Sequence, residues 1–271
     1  MRDAKAVITS FVLLVLVLSL TIGIAPVQAI TWGDVDSSNE YANVGAIIIQ
    51  YDGNYAIIGS GTLVSSTKFL TAAHCTYYLD YLMFTNSIDN IYVSFDPTDP
   101  LTHLDYEVDD IISHPDYNPN TNRPDVGLLI LKDDVSDIDP ANLAEDRYLD
   151  TLLDEGELRQ RGRSSKFIAV GYGGTLAWPP PVIQENDDRY FTDDAGYQAL
   201  LPNWLLLSQN PKRGYGGTCY GDSGGPIFWE ADGTLVLVAV TSWGDYNCIT
   251  AGFNFRIDNQ EILDFIADPI A

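Results

Sequence analysis

Short apolar runs, separated by turn residues, recur along most of the chain. Many of these runs are about four to eight residues long, and Gly, Pro, Asp or Asn bounds them. Runs of this length and spacing are typical of an all-β sandwich or barrel. They cover residues 44–50, 55–64, 69–72, 90–95, 126–131, 167–172, 204–207, 234–243 and 252–257.

Helix signals are few, and the strongest of them lies near the C-terminus. Asp258 or Asn259 can cap a segment whose apolar residues share one face of a helix, and Pro269 follows this segment. The pattern predicts a short helix over about residues 258–267. Residues 135–163 are polar and poor in strand signals, and we interpret them as a linker between two halves of the protein.

The N-terminal segment has the pattern of a sequence that is removed from the mature protein. Arg2 and Lys5 precede an uncharged apolar stretch over residues 6–25, and a motif of small residues ends at Ala29. We interpret residues 1–29 as a secretory signal peptide. The alternative is a retained membrane anchor, because about 20 apolar residues can span a bilayer. Signal removal predicts a secreted protein without stable membrane association, in a compartment where cysteines can oxidise.

The composition adds a strong acidic bias to this picture. Lys and Arg together number 14 and Asp and Glu 38, so the formal net charge is −24. Binding to nucleic acids or anionic lipids depends on basic residues, so neither is an expected partner. The hydrophobic fraction of 46% is enough for a large core and excludes intrinsic disorder. Aspartates with the spacing of an EF-hand loop are absent, and no metal site is predicted.

Three motifs carry candidate chemistry, and they occur in the order His, Asp, Ser. Taken singly, each has an ordinary structural explanation, as a residue at the end of a strand or in a turn. Their separations are long enough to place the serine in a different half of the molecule from the other two, which predicts a cleft. The motifs are Thr71–Cys75 around His74, Asp125–Leu129, and Gly221–Pro226 around Ser223.

Together, the three motifs resemble those of the secreted serine peptidases of the trypsin and chymotrypsin family. The resemblance extends over about residues 30–266 and includes further segments that are similar to strands of the family. It implies an all-β, chymotrypsin-like fold of two packed antiparallel six-stranded β-barrels, with a short C-terminal helix. The further segments are Gly61–Val64, Ala169–Gly173, Ser242–Gly244 and Gly252–Ile257.

The resemblance also implies a division of the chain and a chemical activity. Residues 30–145 would form the barrel half that carries His74 and Asp125, and residues 146–271 the half that carries Ser223. The implied activity is that of a secreted serine endopeptidase that cleaves protein or peptide substrates through an acyl-enzyme intermediate. The alternative is a non-catalytic binding protein or adhesin on the same fold.

Each residue of the implied site has a role in acyl transfer. His74 would be the general base that activates the nucleophile Ser223, and Asp125 would orient the imidazole and stabilise its charged form. The backbone N–H groups of Gly221 and Ser223 would form the oxyanion hole. This chemistry needs no metal or organic cofactor, and we expect a monomer.

Two further features follow from the resemblance. Signal removal would expose the α-ammonium of Ile30, which would pair with Asp222 and order the oxyanion hole. The alternative is a zymogen that is cleaved further downstream. Cys219 and Cys248 match a disulfide of the family that braces the specificity pocket. The partner that many relatives provide for the remaining Cys75 is missing from Ile58–Gly61, so Cys75 is expected to be a free thiol.

The specificity pocket is the part of the site for which the resemblance is least direct. An uncharged floor and small wall residues predict cleavage after Phe, Tyr or Leu, because a bulky apolar side chain gains free energy from burial in such a pocket. The alternative is cleavage after Arg or Lys, favoured by Asp245 and the acidic surface. The implied substrate-binding residues are Gly217 and Thr218 at the floor, with Ser242, Trp243, Gly244 and Gly252 along the walls.

Overall fold

The computed structural model of the protein describes residues 30–160, 167–173, 175–177, 182–184 and 187–269. The segment that we interpret as a signal peptide therefore lies outside the described residues. Within the described residues, no helix is both long and apolar enough to cross a membrane.

The first half of the chain forms a closed six-stranded antiparallel barrel, preceded by the short strand β1 (Asp34–Val35). Its strands pair in the order β2, β3, β4, β7, β6, β5, and β5 returns to β2. The strands are β2 (Val44–Tyr51), β3 (Asn54–Leu63), β4 (Lys68–Thr71), β5 (Asn90–Ser94), β6 (Tyr106–Ser113) and β7 (Gly127–Leu131).

The second half forms another closed antiparallel barrel, with strand order β9, β12, β13, β16, β15, β14 and back to β9. Strand β1 extends this sheet beside β12, β8 pairs with β15 in parallel, and β10 and β11 form a separate hairpin. The strands are β8 (Asn142–Leu143), β9 (Phe167–Gly171), β10 (Thr175–Ala177), β11 (Val182–Gln184), β12 (Tyr190–Leu200), β13 (Trp204–Ser208), β14 (Pro226–Ala231), β15 (Thr234–Gly244) and β16 (Ala251–Arg256).

The all-β fold of two six-stranded barrels is thus confirmed, and the C-terminal helix is present. Helix α3 (Gln260–Ala267) begins after Asn259, whose side chain accepts the backbone N–H of Ile262 at 3.0 Å. Because Asn259 is the cap, the helix starts later than the range predicted from the sequence. The segment interpreted as a linker contains β8 and helix α2 (Tyr148–Asp154), which buries two leucines in the second barrel.

The apolar runs are continuous where a strand is buried on both of its faces. In β2, Ile47 and Ile49 belong to the core of the first barrel, whereas Ala46 and Ile48 belong to a cluster shared by both barrels. Alternate residues of a strand point to opposite faces, so this strand needs apolar residues on both. The shared cluster also contains Phe228 of the second barrel, so the two barrels pack against each other through apolar side chains.

A buried ion pair connects the segment after β1 to both barrels. Arg189 and Asp36 are both fully buried, and their closest side-chain atoms are 2.8 Å apart. The Arg189 guanidinium also donates to the carbonyl oxygens of Val44 and Phe95 and to the hydroxyl of Tyr172. This side chain therefore holds the N-terminal segment against the junction of the barrels.

Removing one member of this pair should cost much more stability than removing an exposed pair. Asp36→Ala leaves Arg189 charged and buried without its carboxylate, which should lower the free energy of unfolding by about 3–5 kcal/mol in urea denaturation. The double variant Asp36→Ala/Arg189→Met should lose less, because it buries no unpaired charge. Glu107→Ala, which breaks the exposed pair with Lys132, is the control and should cost less than about 1 kcal/mol. Equal losses for Asp36→Ala and Glu107→Ala would contradict the argument.

Candidate active site

The pairing of β4 with β7 brings His74 and Asp125 together. Thr71 at the end of β4 is opposite Gly127 at the start of β7. His74 follows β4 in the first turn of helix α1 (Ala73–Phe84), and Asp125 lies just before β7. Residues that are far apart in the chain therefore meet at one end of the first barrel.

His74 and Asp125 form a hydrogen-bonded pair with the carboxylate buried. His74 Nδ1 is 2.9 Å from Asp125 Oδ2, and the backbone N–H of His74 donates to Oδ1 at 2.8 Å. Asp125 is fully buried, and the His74 side chain is 29% exposed. Burial alone would lower the pKa of His74, but Cys75 and the hydrogen bond to Asp125 raise it well above its ordinary value. The pair can thus hold a proton on the imidazole.

The turn that carries Ser223 is packed against this pair from the second barrel. The backbone N–H of Ser60 donates to Ser223 O at 2.9 Å, and Cys75 Sγ lies 3.8 Å from the same oxygen. Gly224, at φ +81°, has no room for a Cβ, which would collide with Thr71 Oγ1. Within the described residues, Ser223 Oγ makes no hydrogen bond to His74. Such bonds are often long before substrate binds.

The backbone around Ser223 leaves two N–H groups available. Gly221 has φ +89°, a conformation that glycine adopts readily, and its carbonyl oxygen accepts a hydrogen bond from Ser60 Oγ at 3.1 Å. In the part of the chain that the structure describes, neither the N–H of Gly221 nor that of Ser223 has an acceptor. Both groups are therefore free to donate to a ligand.

Asp222 is buried, and two backbone N–H groups bind its carboxylate. Its oxygens accept the N–H of Gly173 at 2.9 Å and that of Cys219 at 2.7 Å. Burial raises the pKa of Asp222 to about 7. Ile30 is buried in the second barrel, and Thr31 exchanges two backbone hydrogen bonds with Gly217. In the full-length chain the nitrogen of Ile30 is a peptide amide, so it carries no charge to offset that of Asp222.

A cavity of about 220 Å³ opens beside Ser223. The disulfide between Cys219 and Cys248, which the family resemblance implies, is present and forms part of its wall. Of the implied substrate-binding residues, four border this cavity: Thr218, Ser242, Trp243 and Gly244.

Comparison with known proteins agrees with this geometry. The family model described as trypsin matches residues 35–266, which is most of the chain. The chain belongs to the trypsin family. Among solved structures, a collagenase, "HL collagenase", is similar to this trypsin-family chain with a TM-score of 0.60 and 17% sequence identity. That similarity covers 88% of this chain and 96% of the collagenase, and it supports the fold.

Curated relatives of this trypsin-family chain include insect serine proteases. The CLIP domain-containing serine protease B15 of Anopheles gambiae is 29% identical over 209 residues, which is 70% of this chain and 55% of the relative. The serine protease Hayan of Drosophila melanogaster is 27% identical over 242 residues, 83% of this chain and 36% of the relative. The chain thus spans about half or less of the length of these proteins.

Two implied pocket residues of the trypsin-family site, Gly217 and Gly252, lie against the side chain of Gln209 and do not border the cavity beside Ser223. A Cβ on Gly217 would collide with Gln209 Cγ, and one on Gly252 would lie 3.1 Å from Gln209 Nε2. Gln209 is 1% exposed, and its Nε2 donates to Thr218 O at 2.6 Å. Gln209 therefore fills the space between these two glycines and Thr218, and only Thr218 of the three borders the cavity.

Sequence reasoning gave no role to Gln209. It follows the apolar residues of β13, and its backbone N–H donates to Thr250 O just before β16, where its side chain packs against Gly217 and Gly252. Its Oε1 is buried without a hydrogen-bond partner among the described residues. The only feature of the sequence that could have pointed to Gln209 is that a polar residue directly follows an apolar strand.

Cys75 is a buried free thiol, as expected. The structure places Gly59 where a bonding partner would be, because a Cβ on Gly59 would lie 3.4 Å from Cys75 Sγ. A Cβ in this position is at about the distance that a disulfide requires.

The Gly59→Cys variant should therefore form a second disulfide. Thiol titration in denaturant before reduction should detect one free thiol in the native protein and none in this variant. Gly53→Cys is the matched control, because a Cβ on Gly53 meets only open space, and this variant should show two free thiols. Two free thiols in Gly59→Cys would show that the gap between residues 59 and 75 cannot be bridged.

Proposed function

We propose that this chain is a secreted serine endopeptidase that hydrolyses proteins or peptides through an acyl-enzyme on Ser223. The observation that carries the proposal is the buried Asp125 carboxylate bonded to Nδ1 of His74, next to the Ser223 turn. Membership of the trypsin family supports the same reading. The two unpaired N–H groups beside Ser223 add a place for the negative charge that develops in acyl transfer.

The proposed reaction moves one proton through His74. Ser223 Oγ attacks the substrate carbonyl carbon while His74 Nε2 accepts its proton, and Asp125 stabilises the imidazolium that forms. The N–H groups of Gly221 and Ser223 donate to the resulting oxyanion. The intermediate collapses as His74 returns the proton to the leaving amine. A water molecule, activated in the same way, then hydrolyses the acyl-enzyme and regenerates Ser223.

Covalent labelling tests this function directly. A serine-directed organophosphorus reagent should label the mature protein on Ser223, and the Ser223→Ala variant should remain unlabelled. Hydrolysis of a protein substrate should disappear in the same variant. A correctly folded native protein that neither takes the label nor hydrolyses any protein substrate would favour the alternative, a binding protein on the same fold.

The proposal includes removal of residues 1–29 by signal peptidase, which leaves two barrel halves at residues 30–145 and 146–271. The new α-ammonium of Ile30 would pair with Asp222, whose carboxylate is buried without a cationic partner among the described residues. The Cys219–Cys248 disulfide is consistent with an oxidising, extracellular location. We propose a monomer that requires no cofactor and binds neither nucleic acid nor membranes.

The lining of the cavity supports cleavage after bulky apolar residues. Asp245 is the one charged residue among the described residues that line it, and Gln209, which packs behind Thr218, is uncharged. Asp245 borders the cavity, but its Oδ1 accepts the backbone N–H groups of Thr250 and Ala251 at 2.7 and 3.1 Å. These bonds hold the carboxylate against its own loop, which weakens the case for pairing with a substrate Arg or Lys.

Matched peptides that differ only before the scissile bond should show this preference. We expect kcat/KM for Phe to exceed that for Ala by roughly 10- to 150-fold, which corresponds to the burial of an apolar side chain. Gln209→Ala should leave space behind Thr218 into which the pocket can extend, so the ratio of kcat/KM for Tyr to that for Leu should rise. Asn210→Ala, which changes the next residue outside the cavity, should leave that ratio unchanged. A kcat/KM for Arg equal to that for Phe would overturn the assignment.

A further inference from the structure

The side chain of Asn122 reaches the Asp125 carboxylate from the loop that precedes β7. Asn122 Nδ2 donates to Asp125 Oδ2 at 2.9 Å and to Ser242 Oγ, also at 2.9 Å. The Tyr117 hydroxyl donates to Asn122 Oδ1 at 2.8 Å. Asn122 therefore connects the His74 pair to the strand β15 of the second barrel.

The chemistry of the partners determines the orientation of this amide. An ionised carboxylate can only accept hydrogen bonds, so Asn122 must present its NH₂ group to Asp125. Ser242 donates its single hydroxyl proton to Asp125 Oδ2, which leaves a lone pair on Oγ for the second N–H of Asn122. The amide oxygen then accepts from Tyr117. Each polar atom of the Asn122 amide has a partner, so the arrangement is unambiguous.

The backbone of the loop holds Asn122 in this position. Its φ is +53°, a left-handed conformation that asparagine adopts more readily than most other residues. The backbone N–H of Asn122 donates to Asn118 O at 2.8 Å. The turn is thus closed locally, and it presents the amide to the carboxylate without help from a substrate.

We propose that Asn122 is a positioning residue of the His74–Asp125 pair, an inference that rests on the proposed peptidase function. Its N–H group holds the Asp125 carboxylate in the plane that faces His74 Nδ1. The same hydrogen bond stabilises the negative charge of Asp125, so the proton stays on His74 during the reaction. Asn122 touches neither the nucleophile nor the transferred proton, and it acts through Asp125.

The Asn122 N–H group should lower the pKa of His74. The partial positive charge of the Asn122 N–H group offsets part of the carboxylate charge that the imidazole experiences. Removal of this group should therefore raise the pKa of His74, and a negative charge in its place should raise it further. Among the described residues, the other titratable groups that interact with this pair are Cys75, which adjoins the ring, and Tyr117, whose own pKa burial raises to about 12.

Two variants at position 122 and one control test the proposal. Asn122→Gly tolerates the positive φ and removes the amide, and Asn122→Asp keeps the shape but replaces the donor by a carboxyl group. We expect kcat to fall about tenfold in Asn122→Gly, as for loss of a hydrogen bond to a charged group, with KM within about twofold. The control is Asn86→Gly, a change at an exposed asparagine with φ +51°, which should leave both constants unchanged.

A second measurement separates this proposal from the peptidase function. NMR titration of the three histidines in a Ser223→Ala background gives the pKa of His74 without any turnover, and His74→Gln assigns its resonance. The pKa of His74 should be lowest with the native Asn122, higher in Asn122→Gly and highest in Asn122→Asp. Unchanged His74 pKa values in folded variants would overturn the positioning role, whether or not the native protein is a peptidase. If the native protein is inactive but the His74 pKa values follow the expected order, only the proposed peptidase function is overturned.

Discussion

The Asp125→Asn variant should fold normally and lose about four orders of magnitude in kcat. The Asp125 carboxylate accepts hydrogen bonds from the backbone and the ring of His74, from Ser242 and from Asn122. An asparagine has one acceptor oxygen, so its NH₂ group would face some of these donors. The exchange of one carboxylate oxygen for an NH₂ group therefore places a hydrogen-bond donor against other donors at this position.

The expected resolution of this conflict inactivates the base. If the asparagine oxygen faces Ser242 and Asn122 and its NH₂ group faces His74, then His74 Nδ1 must become an acceptor. The imidazole proton then resides on Nε2, which can no longer accept the proton of Ser223. Steady-state kinetics should show the loss in kcat, and thermal unfolding should show a folded protein. Asp116→Asn, at an exposed acid in the same loop, is the control and should retain full activity. A kcat within tenfold of the native value would contradict the proposed role.

A protein that begins with Ile30 should be about 10²- to 10³-fold more active than one that keeps Gln28 and Ala29 before it, the range expected for loss of an oxyanion donor. Only the shorter protein has an α-ammonium at the buried Ile30, which is the group that we propose to pair with Asp222. Asp222 accepts the N–H of Cys219 within the turn that carries Gly221 and Ser223. The ion pair would thus stabilise the turn that presents the oxyanion donors.

The two proteins should also differ in their response to pH. An α-ammonium has an ordinary pKa of about 7.7–8.0, and the proposed ion pair would raise it in the folded protein. The stabilisation should therefore be complete below about pH 8 and be lost, together with activity, as pH rises through the raised pKa. In the longer protein, burial raises the pKa of Asp222 to about 7 with no ammonium present. Its stability relative to Asp222→Asn should fall as pH rises from about 4 through about 7.

N-terminal sequencing and activity measurements decide between these outcomes. Active protein purified from the medium should begin at Ile30, and Asp222→Asn should lose the activity advantage of the shorter form. Equal activity of the two forms, or an active protein with a different N-terminus, would show that Ile30 is not the activating residue.

Structural features that depend only on residues close together in the sequence were predictable. The strands follow from short apolar runs between turn residues, and the C-terminal helix follows from a capping residue and one apolar face, all of which are local patterns. Helix α1 was not predicted. Its aromatic residues are exposed, and its buried residues include the polar Thr76. The helix therefore lacks the pattern of one apolar and one polar face by which an amphipathic helix is recognised.

The sequence by itself determined the pattern of strands and the motifs around His74, Asp125 and Ser223. The family resemblance that these motifs carry implied the two-barrel architecture and the cysteine pairing. Only the tertiary structure decided which further side chains meet at the site. Asn122 contacts Ser242 across 120 residues, and Arg189 contacts Asp36 across 153. Gln209 covers Gly217 only because β13 pairs with β16. The physical reason is that such contacts depend on the closure of the barrels and on side-chain packing, which no local spacing in the sequence encodes.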